Sequence, residues 1–402
     1  MGEHAKFSPS HAKTWASCMG ALELSKPFPN TSSAAAEEGT MAHAVLEYCL
    51  SFNLPPQEVI DVGQNWGKYP VEDYDLDQMV DGVQLALDTI YTEAKNHEAK
   101  ILVEQKVTIT DNCWGTADII LSAPHLGWCA IYDFKYGAGI FVGAVDNWQL
   151  ELYGIGTLKL LNDPKINTVE VGIIQPRIPS DLGRVRTHIY DISELHTKEA
   201  FFRTAMSSQN DGTYNPSDAA CQWCLAKPVC NALKEKCLAD AQLWFADETI
   251  TRESIEEKAV CTPGELSMED RVAILSNVEL IRGWLKSVEG HSLEIALAGT
   301  EIPGFKVVRG TGGQRKWGVE EEVLLKMFRG MKIKKADVTQ AKLLGPAPIE
   351  KVGKKLMKQQ VISKRQFDRI MSHVVKPPGK MTLVPAADER DAVALTAEQM
   401  FD

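Results

Sequence analysis

The chain has 402 residues, 44% apolar and 24% charged, which is ordinary globular composition with room for one sizeable core and a smaller appendage. No stretch is apolar enough to span a bilayer and the first residues carry no export signal, so a soluble, cytoplasmic chain without a membrane partner is expected. Nine cysteines in that setting argue against a disulfide framework and for reduced or metal-bound thiols, and the net charge of -11 hides a basic stretch near the end.

Taken in chain order, Ser8-Pro9-Ser10 starts a short helix that reaches Trp15 and sets Cys18 near its end. Residues 27–39 read as a loop, and residues 40–50 as a helix on which His43 and Glu47, at i and i+4, share a face. Residues 55–73 look irregular, and a second long helix covers 76–94. Three β-type runs follow at 101–109, 115–121 and 128–134, and their short connections predict an antiparallel meander. Helical spacing returns at 147–161, and 168–175 and 185–190 read as a fourth and a fifth strand. This order is α/β, a central mixed sheet flanked by helices.

After residue 247 the texture turns charged and helical, so a boundary is placed between 245 and 265. It separates a domain of residues 1–245 from a smaller, mainly helical domain of residues 246–402. In the latter, Ser267-x-x-Asp270 signals a cap for a long helix ending near Gly299, and a short strand lies around 305–308. Gly310-Thr311-Gly312-Gly313 lacks the Gly-Lys-Ser/Thr ending of a phosphate loop and reads as a turn, followed by two or three short helices. Between Glu350 and Met381 the basic residues Lys351, Lys354, Lys355, Lys358, Lys364, Arg365, Arg369, Lys376 and Lys380 face little acid beyond Glu350 and Asp368. A solvated helix face and a phosphate-binding patch are both open readings, and the acidic, apolar end at 392–402 is a candidate docking tail.

The most informative local feature is Ile131-Tyr132-Asp133-Phe134-Lys135, an apolar strand interrupted by an acid and a base. Residues two apart on a strand point the same way, so Asp133 and Lys135 project from one face, and burial there implies a shared site. Gly115-Thr116-Ala117-Asp118 puts a second carboxylate at the start of the neighbouring strand, within reach of Asp133 by antiparallel pairing. Two close carboxylates repel unless a cation lies between them, and hard oxygen donors favour Mg²⁺ or Mn²⁺. His43 could complete such a shell. Gln149 and Tyr153, at i and i+4 on the helix after the lysine strand, can face back toward it. Glu47 and Glu104 lie near these motifs, with surface placement as the default expectation.

In this order, on helix, strand, strand and helix, the set His, Gly-x-x-Asp, Asp-x-Lys and Gln-x-x-x-Tyr resembles the RecB-like branch of the PD-(D/E)XK nuclease superfamily. The resemblance covers roughly residues 8 to 235 and implies a restriction-endonuclease-like core. It implies metal ligation by His43, Asp118, Asp133 and the Phe134 backbone carbonyl, catalysis by Asp118, Asp133 and Lys135, and support from Gln149 and Tyr153. The implied activity is metal-dependent DNA hydrolysis, most simply by an exonuclease acting on single- or double-stranded ends in phage recombination or replication, beside a single-strand annealing or binding protein. A catalytically silent DNA-binding scaffold and an RNA nuclease are the alternatives. The segments around Pro303-Gly304-Phe305-Lys306 and Gly379-Lys380 also resemble an uncharacterised family of prophage proteins, which would place the chain in a host cytoplasm.

Cys221-x2-Cys224-x5-Cys230 is a compact triple in a turn-rich stretch and reads as part of a metal centre that needs a fourth thiolate. The same nuclease branch contains AddB-like arrangements with one cysteine before the core and three after it. That resemblance implies Cys18 as the fourth ligand and a four-iron, four-sulfur cluster. The cluster would clasp the first helix to the end of the core by closing a loop of about 200 residues. Zn²⁺ is the alternative metal and Cys237 the alternative ligand. Cys49, Cys113, Cys129 and Cys261 read as core or surface thiols.

Overall fold

A computed structural model describes residues 5–29, 34–61, 69, 74–178, 182–209, 213–243, 268–309, 316–334, 338–340, 342–343, 345–359, 361–375 and 381–385. The chain divides into two compact units, Met1–Leu285 and Lys286–Asp402. The boundary expected at 245–265, the cap residue Ser267, the turn at 310–313, Cys261, Lys376, Lys380 and the acidic end at 392–402 lie outside the described residues. No described helix is long and apolar enough to cross a membrane.

The first unit is built on a five-stranded sheet in the order β1 (Lys100–Thr110), β2 (Cys113–Ala123), β3 (Trp128–Phe134), β4 (Thr168–Ile174), β5 (Val185–Asp191). The expected meander is present, since β1, β2 and β3 pair antiparallel through tight connections. The chain then crosses over through a helix to lay β4 parallel to β3, and β5 returns antiparallel. Numbered in chain order, the helices are α1 (Ala12–Ser17), α2 (Ala21–Ser25), α3 (Ala34–Phe52), α4 (Pro56–Asp61), α5 (Leu76–Asn96), α6 (Trp148–Leu161), α7 (Ile192–Ser207), α8 (Asp218–Cys221) and α9 (Asn231–Leu243). α3 begins well before residue 40, because Ala34-Ala35-Ala36-Glu37-Glu38 is a run of strong helix formers that a loop reading undervalues. α4 likewise occupies part of the stretch expected to be irregular.

Each face of the sheet has its own core. On one side Trp15 of α1, Leu150 and Ile155 of α6 and Phe202 of α7 pack over Val107, Ile109, Ile131 and Val171. On the other, Met41, Val45 and Leu46 of α3 and Val83, Leu87 and Ile90 of α5 pack over Ile119, Leu121, Tyr132 and Phe134. In β2 the alternation changes over part-way. Ala117 and Ile120 both belong to the first core, whereas Ile119 and Leu121 belong to the second. The changeover falls at Asp118, opposite Glu104 in β1, whose backbone is left-handed at φ 50°. A non-glycine residue there costs on the order of 1 kcal/mol, a strain that commonly marks a functional site.

Buried polar clamps fix the segments packed beside the sheet. Glu151 of α6 is fully buried and accepts from the Tyr190 hydroxyl at 3.1 Å and from Lys198 Nζ at 2.9 Å, which ties α6 to β5 and α7. Gln175 and Arg186 bond the backbone of Ile140 and Val142, anchoring the segment between β3 and α6. The helix Met268–Leu297, ending as expected near the left-handed Gly299, contributes Leu280 to an apolar cluster with Cys18, Cys221, Leu233 and Cys237.

The second unit has a core of Leu324, Phe328, Ile333, Ile349, Ile362 and Ile370. Three short helices, Glu321–Gly330, Pro346–Lys358 and Lys364–Met371, supply most of it. The expected strand near 305–308 is Phe305–Arg309, and it pairs with Met381–Pro385. Two smaller ladders join Lys316–Trp317 to Val374–Val375 and Thr339–Gln340 to Lys342–Leu343.

Candidate metal site and thiol cavity

The pairing registers assemble the site. Gln105 lies opposite Ala117 and Val103 opposite Ile119, so Glu104 stands across from Asp118. Ile119 lies opposite Tyr132, and the same register sets Asp118 across from Asp133 just beyond the last paired residues. Glu104, Asp118 and Asp133 therefore form one row across three adjacent strands, where neighbours stand about 5 Å apart. α3 brings His43 to the same place: its Nδ1 is 3.4 Å from Asp118 Oδ2, and its ring meets Phe134 edge to face.

His43, Glu104 and Asp118 offer ligand atoms that all lie within 4.8 Å of one another. Among the described residues no other group of three or more histidine, cysteine, aspartate or glutamate side chains does so. His43 and Asp118 are expected together from their motifs, whereas Glu104 is expected at the surface by default. The signal that could have found it is the hairpin register, which a one-residue irregularity between Thr108 and Thr110 displaces from a simple count back from the turn.

Asp133 is buried and held differently. Lys135 Nζ is 2.8 Å from its Oδ2 and Gln149 Nε2 donates to its Oδ1 at 2.8 Å, while Lys135 also donates to Gln149 Oε1 at 3.3 Å. Among the described residues, Asp133 Oδ2 accepts no directed hydrogen bond and is met by the Lys135 ammonium. Phe134 meets the site through its amide, which donates to Asp118 Oδ2 at 2.8 Å. Tyr153, one turn beyond Gln149, is buried against Gly115, where a side chain would collide with its ring.

The electrostatics follow from crowding acids in a half-buried row. Burial, then the charges of Asp118 and Glu47, push the Glu104 carboxyl up to about 7. Asp118 is pushed up to about 6 by burial and by Asp133, against the pull of His43, the Phe134 amide and Lys135. Burial alone would lower the Lys135 ammonium, but Asp133 and Asp118 hold it above its ordinary value. Burial raises the Tyr153 hydroxyl, with Asp133 adding to the effect. A divalent cation held by one imidazole and several carboxylates would relieve this repulsion.

The four predicted thiols also meet. Cys18, which caps α1, Cys221 at the end of α8, Cys224 and Cys230 line one cavity together with Ala21, Tyr214, Lys227 and Leu233. Cys237 lies in the surrounding apolar cluster but not on the cavity wall. The backbone supports the sulfurs: the Asn215 amide approaches Cys18 Sγ at 3.4 Å and the Leu233 amide approaches Cys230 Sγ at 3.5 Å. Gly20 is needed close by, since a Cβ there would lie 2.4 Å from the Tyr214 ring. Burial, and then the neighbouring Cys224, Cys230 and Cys18, push the Cys221 thiol up to about 11, so it is a neutral thiol here and would ionise only with a cation beside it. Cys49, Cys113 and Cys129 are buried in the two sheet cores.

Residues 4–391 match the sequence model of a family described as "Protein of unknown function (DUF2800)". Among solved structures, one titled "Crystal structure of SSO0001" aligns with 51% of this chain and 87% of its own, at 14% identity and a TM-score of 0.23.

Proposed function

The chain belongs to the family of that description, DUF2800, and we propose that it is a metal-dependent deoxyribonuclease on a RecB-like PD-(D/E)XK core. The observation that carries this reading is the row Glu104, Asp118 and Asp133 across three strands, with Lys135 and Gln149 locked onto its end. His43, Glu104 and Asp118 would hold the ion, and Asp133 and, by the resemblance, the Phe134 carbonyl would be further oxygen donors. A bound Mg²⁺ or Mn²⁺ would supply charge to a phosphodiester and acidify the attacking water.

The remaining roles fall to the protein's own groups. Lys135 keeps its proton because Asp133 and Asp118 face it, so an ammonium stands ready beside negative charge that grows on the phosphate. Gln149 bridges the lysine and the aspartate and so sets the spacing of both. Tyr153 fills the space under Gln149 and keeps water from the back of the row. Glu151, bonded on the opposite side of α6, fixes the helix that carries them.

The same proposal gives Cys18, Cys221, Cys224 and Cys230 a four-iron, four-sulfur cluster. Sulfurs around a tetrahedral zinc at about 2.3 Å would stand about 3.8 Å apart. No three of these thiols lie mutually within 4.8 Å, a spread that favours a wider polynuclear centre.

Purified without oxygen, the protein is expected to be brown, to contain iron, and to degrade linear DNA with Mg²⁺ or Mn²⁺ but not with chelator. Opening of closed circles would make it an endonuclease, and cleavage of RNA alone would move the substrate class. Zinc in place of iron would overturn the cluster assignment. Failure to hydrolyse any nucleic acid across both metals would overturn the nuclease reading.

A further inference from the structure

We infer that the consecutive helices Pro346–Lys358 and Lys364–Met371 of the second unit form a binding surface for a nucleic-acid backbone. Their sequences sort by face. Ile349, Leu356, Met357, Phe367 and Ile370 turn into the core of the unit, and the helices approach so closely that a Cβ on Gly353 would lie 2.6 Å from the Phe367 ring. Lys351, Lys354, Lys355, Lys358, Lys364, Arg365 and Arg369 are all exposed. The acids on this stretch are Glu350, which Lys354 engages at 2.7 Å, and Asp368, so seven basic side chains meet two acidic ones within a chain whose net charge is -11.

A face that served only to be wetted would mix signs, as the neighbouring helix Glu321–Gly330 does with Glu321, Glu322, Lys326 and Arg329. Here like charges recur at i and i+4, in Lys351 with Lys355, Lys354 with Lys358 and Arg365 with Arg369, a spacing that weakens an isolated helix. Lys364 and Arg365 moreover occupy the first turn of their helix, where the helix dipole disfavours cations. Within the unit Lys354 pairs with Glu350, and Lys355 and Lys358 lie in a last helical turn that favours cations, while a polyanion laid along the face would offset the remaining repulsion.

The apolar faces decide between polyanions. A helix that binds a lipid surface buries its apolar stripe in the bilayer, but both stripes here are spent on the core. Lysines with interspersed arginines on a rigid pair of helices suit phosphates at fixed spacing. The choice of nucleic acid rests on the nuclease reading of the first unit. The surface itself does not involve the metal site.

The test uses the full chain and fluorescent DNA, with anisotropy read at several salt concentrations in chelator so that nothing is cut. Combining Lys351→Gln, Lys355→Gln, Lys358→Gln and Arg365→Gln should weaken binding about 10-fold or more and lower the slope of log K against log salt by about 3. Circular dichroism should stay as in the parent chain, and the melting curve should not fall, since the replaced charges repel one another. Should that variant fail to fold, Lys355→Gln and Arg365→Gln singly should each lower the slope by about 1. Unchanged affinity and slope in folded variants would overturn the inference, even if hydrolysis proceeds normally. Loss of binding to vesicles rich in phosphatidylserine, with DNA binding intact, would also overturn it in favour of a membrane. Salt-dependent binding lost in these variants, in a protein that hydrolyses nothing, would uphold the surface while the nuclease reading fails.

Discussion

The carboxylate row and the thiol cavity are both pre-gathered donor sets in the first unit, but the protein holds them by different means. The row is fixed by the sheet itself: strand register sets Glu104, Asp118 and Asp133 side by side, the Phe134 amide donates to Asp118, and Lys135 and Gln149 hold Asp133. The thiols come from α1, α8 and the turns after it, separated by about two hundred residues of chain, and converge on a cavity where two backbone amides and the Ser25 hydroxyl approach them. A site built on rigid strands keeps its shape without its ion. A site built where short helices and turns meet depends on its ligand for shape, so the first should matter to chemistry and the second to folding.

The sharpest break of that comparison is at Asp133 and Lys135. Asp133→Ala and Lys135→Ala should each reduce DNA hydrolysis about 10³-fold or more, some 4 kcal/mol on the barrier, because on the proposed reading the first removes an oxygen donor to the ion and the second the ammonium beside the phosphate. Their melting temperatures should stay within a few degrees of the parent, since the sheet and both cores are untouched. A collapse of the melting temperature with activity would show that the row is structural.

The converse should hold at the cavity. Cys18→Ser and Cys221→Ser should each lose iron and lower stability by about 3 kcal/mol, near 10 °C in melting temperature, with activity failing only as the fold fails. Full thermal stability in iron-free Cys221→Ser would remove the clasp from the argument.

Inside the row, Glu104 separates ligation from backbone geometry. Glu104→Gln keeps the size and loses the charge, and should weaken Mn²⁺ binding by roughly 10- to 100-fold, about 1.4 to 2.8 kcal/mol. Glu104→Gly should lose as much affinity yet melt no lower, because glycine accepts φ 50° without strain. Unaltered Mn²⁺ affinity in Glu104→Gln would take it out of the ligand set.

These contrasts also explain what the amino-acid order can reveal. Asp133 with Lys135, and Gln149 with Tyr153, are legible because strand and helix periods put each pair on one face whatever the tertiary fold. Asp118 and His43 follow from motif order, and four helices and five strands of the first unit fall close to where patterning sets them. Glu104 escapes a sequence reading because its face depends on a left-handed residue and a register shift, neither of which leaves a mark in composition. The long-range ladder between Phe305–Arg309 and Met381–Pro385 escapes it for a related reason. A lone pair of short strands far apart in sequence has no turn to announce it.

The smallest effect expected is in the response to pH, and it tests whether the row behaves as one electrostatic unit. Glu104 and Asp118 titrate above the ordinary carboxylate range in the folded chain, at about 7 and about 6. Between that range and pH 7 the metal-free fold therefore holds protons at these two groups that the unfolded chain has released, so their contribution to stability is greatest in acid and declines as pH rises. A divalent ion needs the ionised carboxylates, so its stabilisation should grow over the same interval and flatten the decline. Melting curves at pH 5, 6, 7 and 8, with and without Mg²⁺, should show an ion-dependent gain of a few degrees that opens between 6 and 7. Because other groups titrate too, the informative quantity is the difference between the parent and Glu104→Gln: the variant should lose the part of the slope near 7 and keep the part near 6 that belongs to Asp118. If the slope near 7 survives in Glu104→Gln, the proton there sits elsewhere, and Glu104 is only a strained strand residue beside the row.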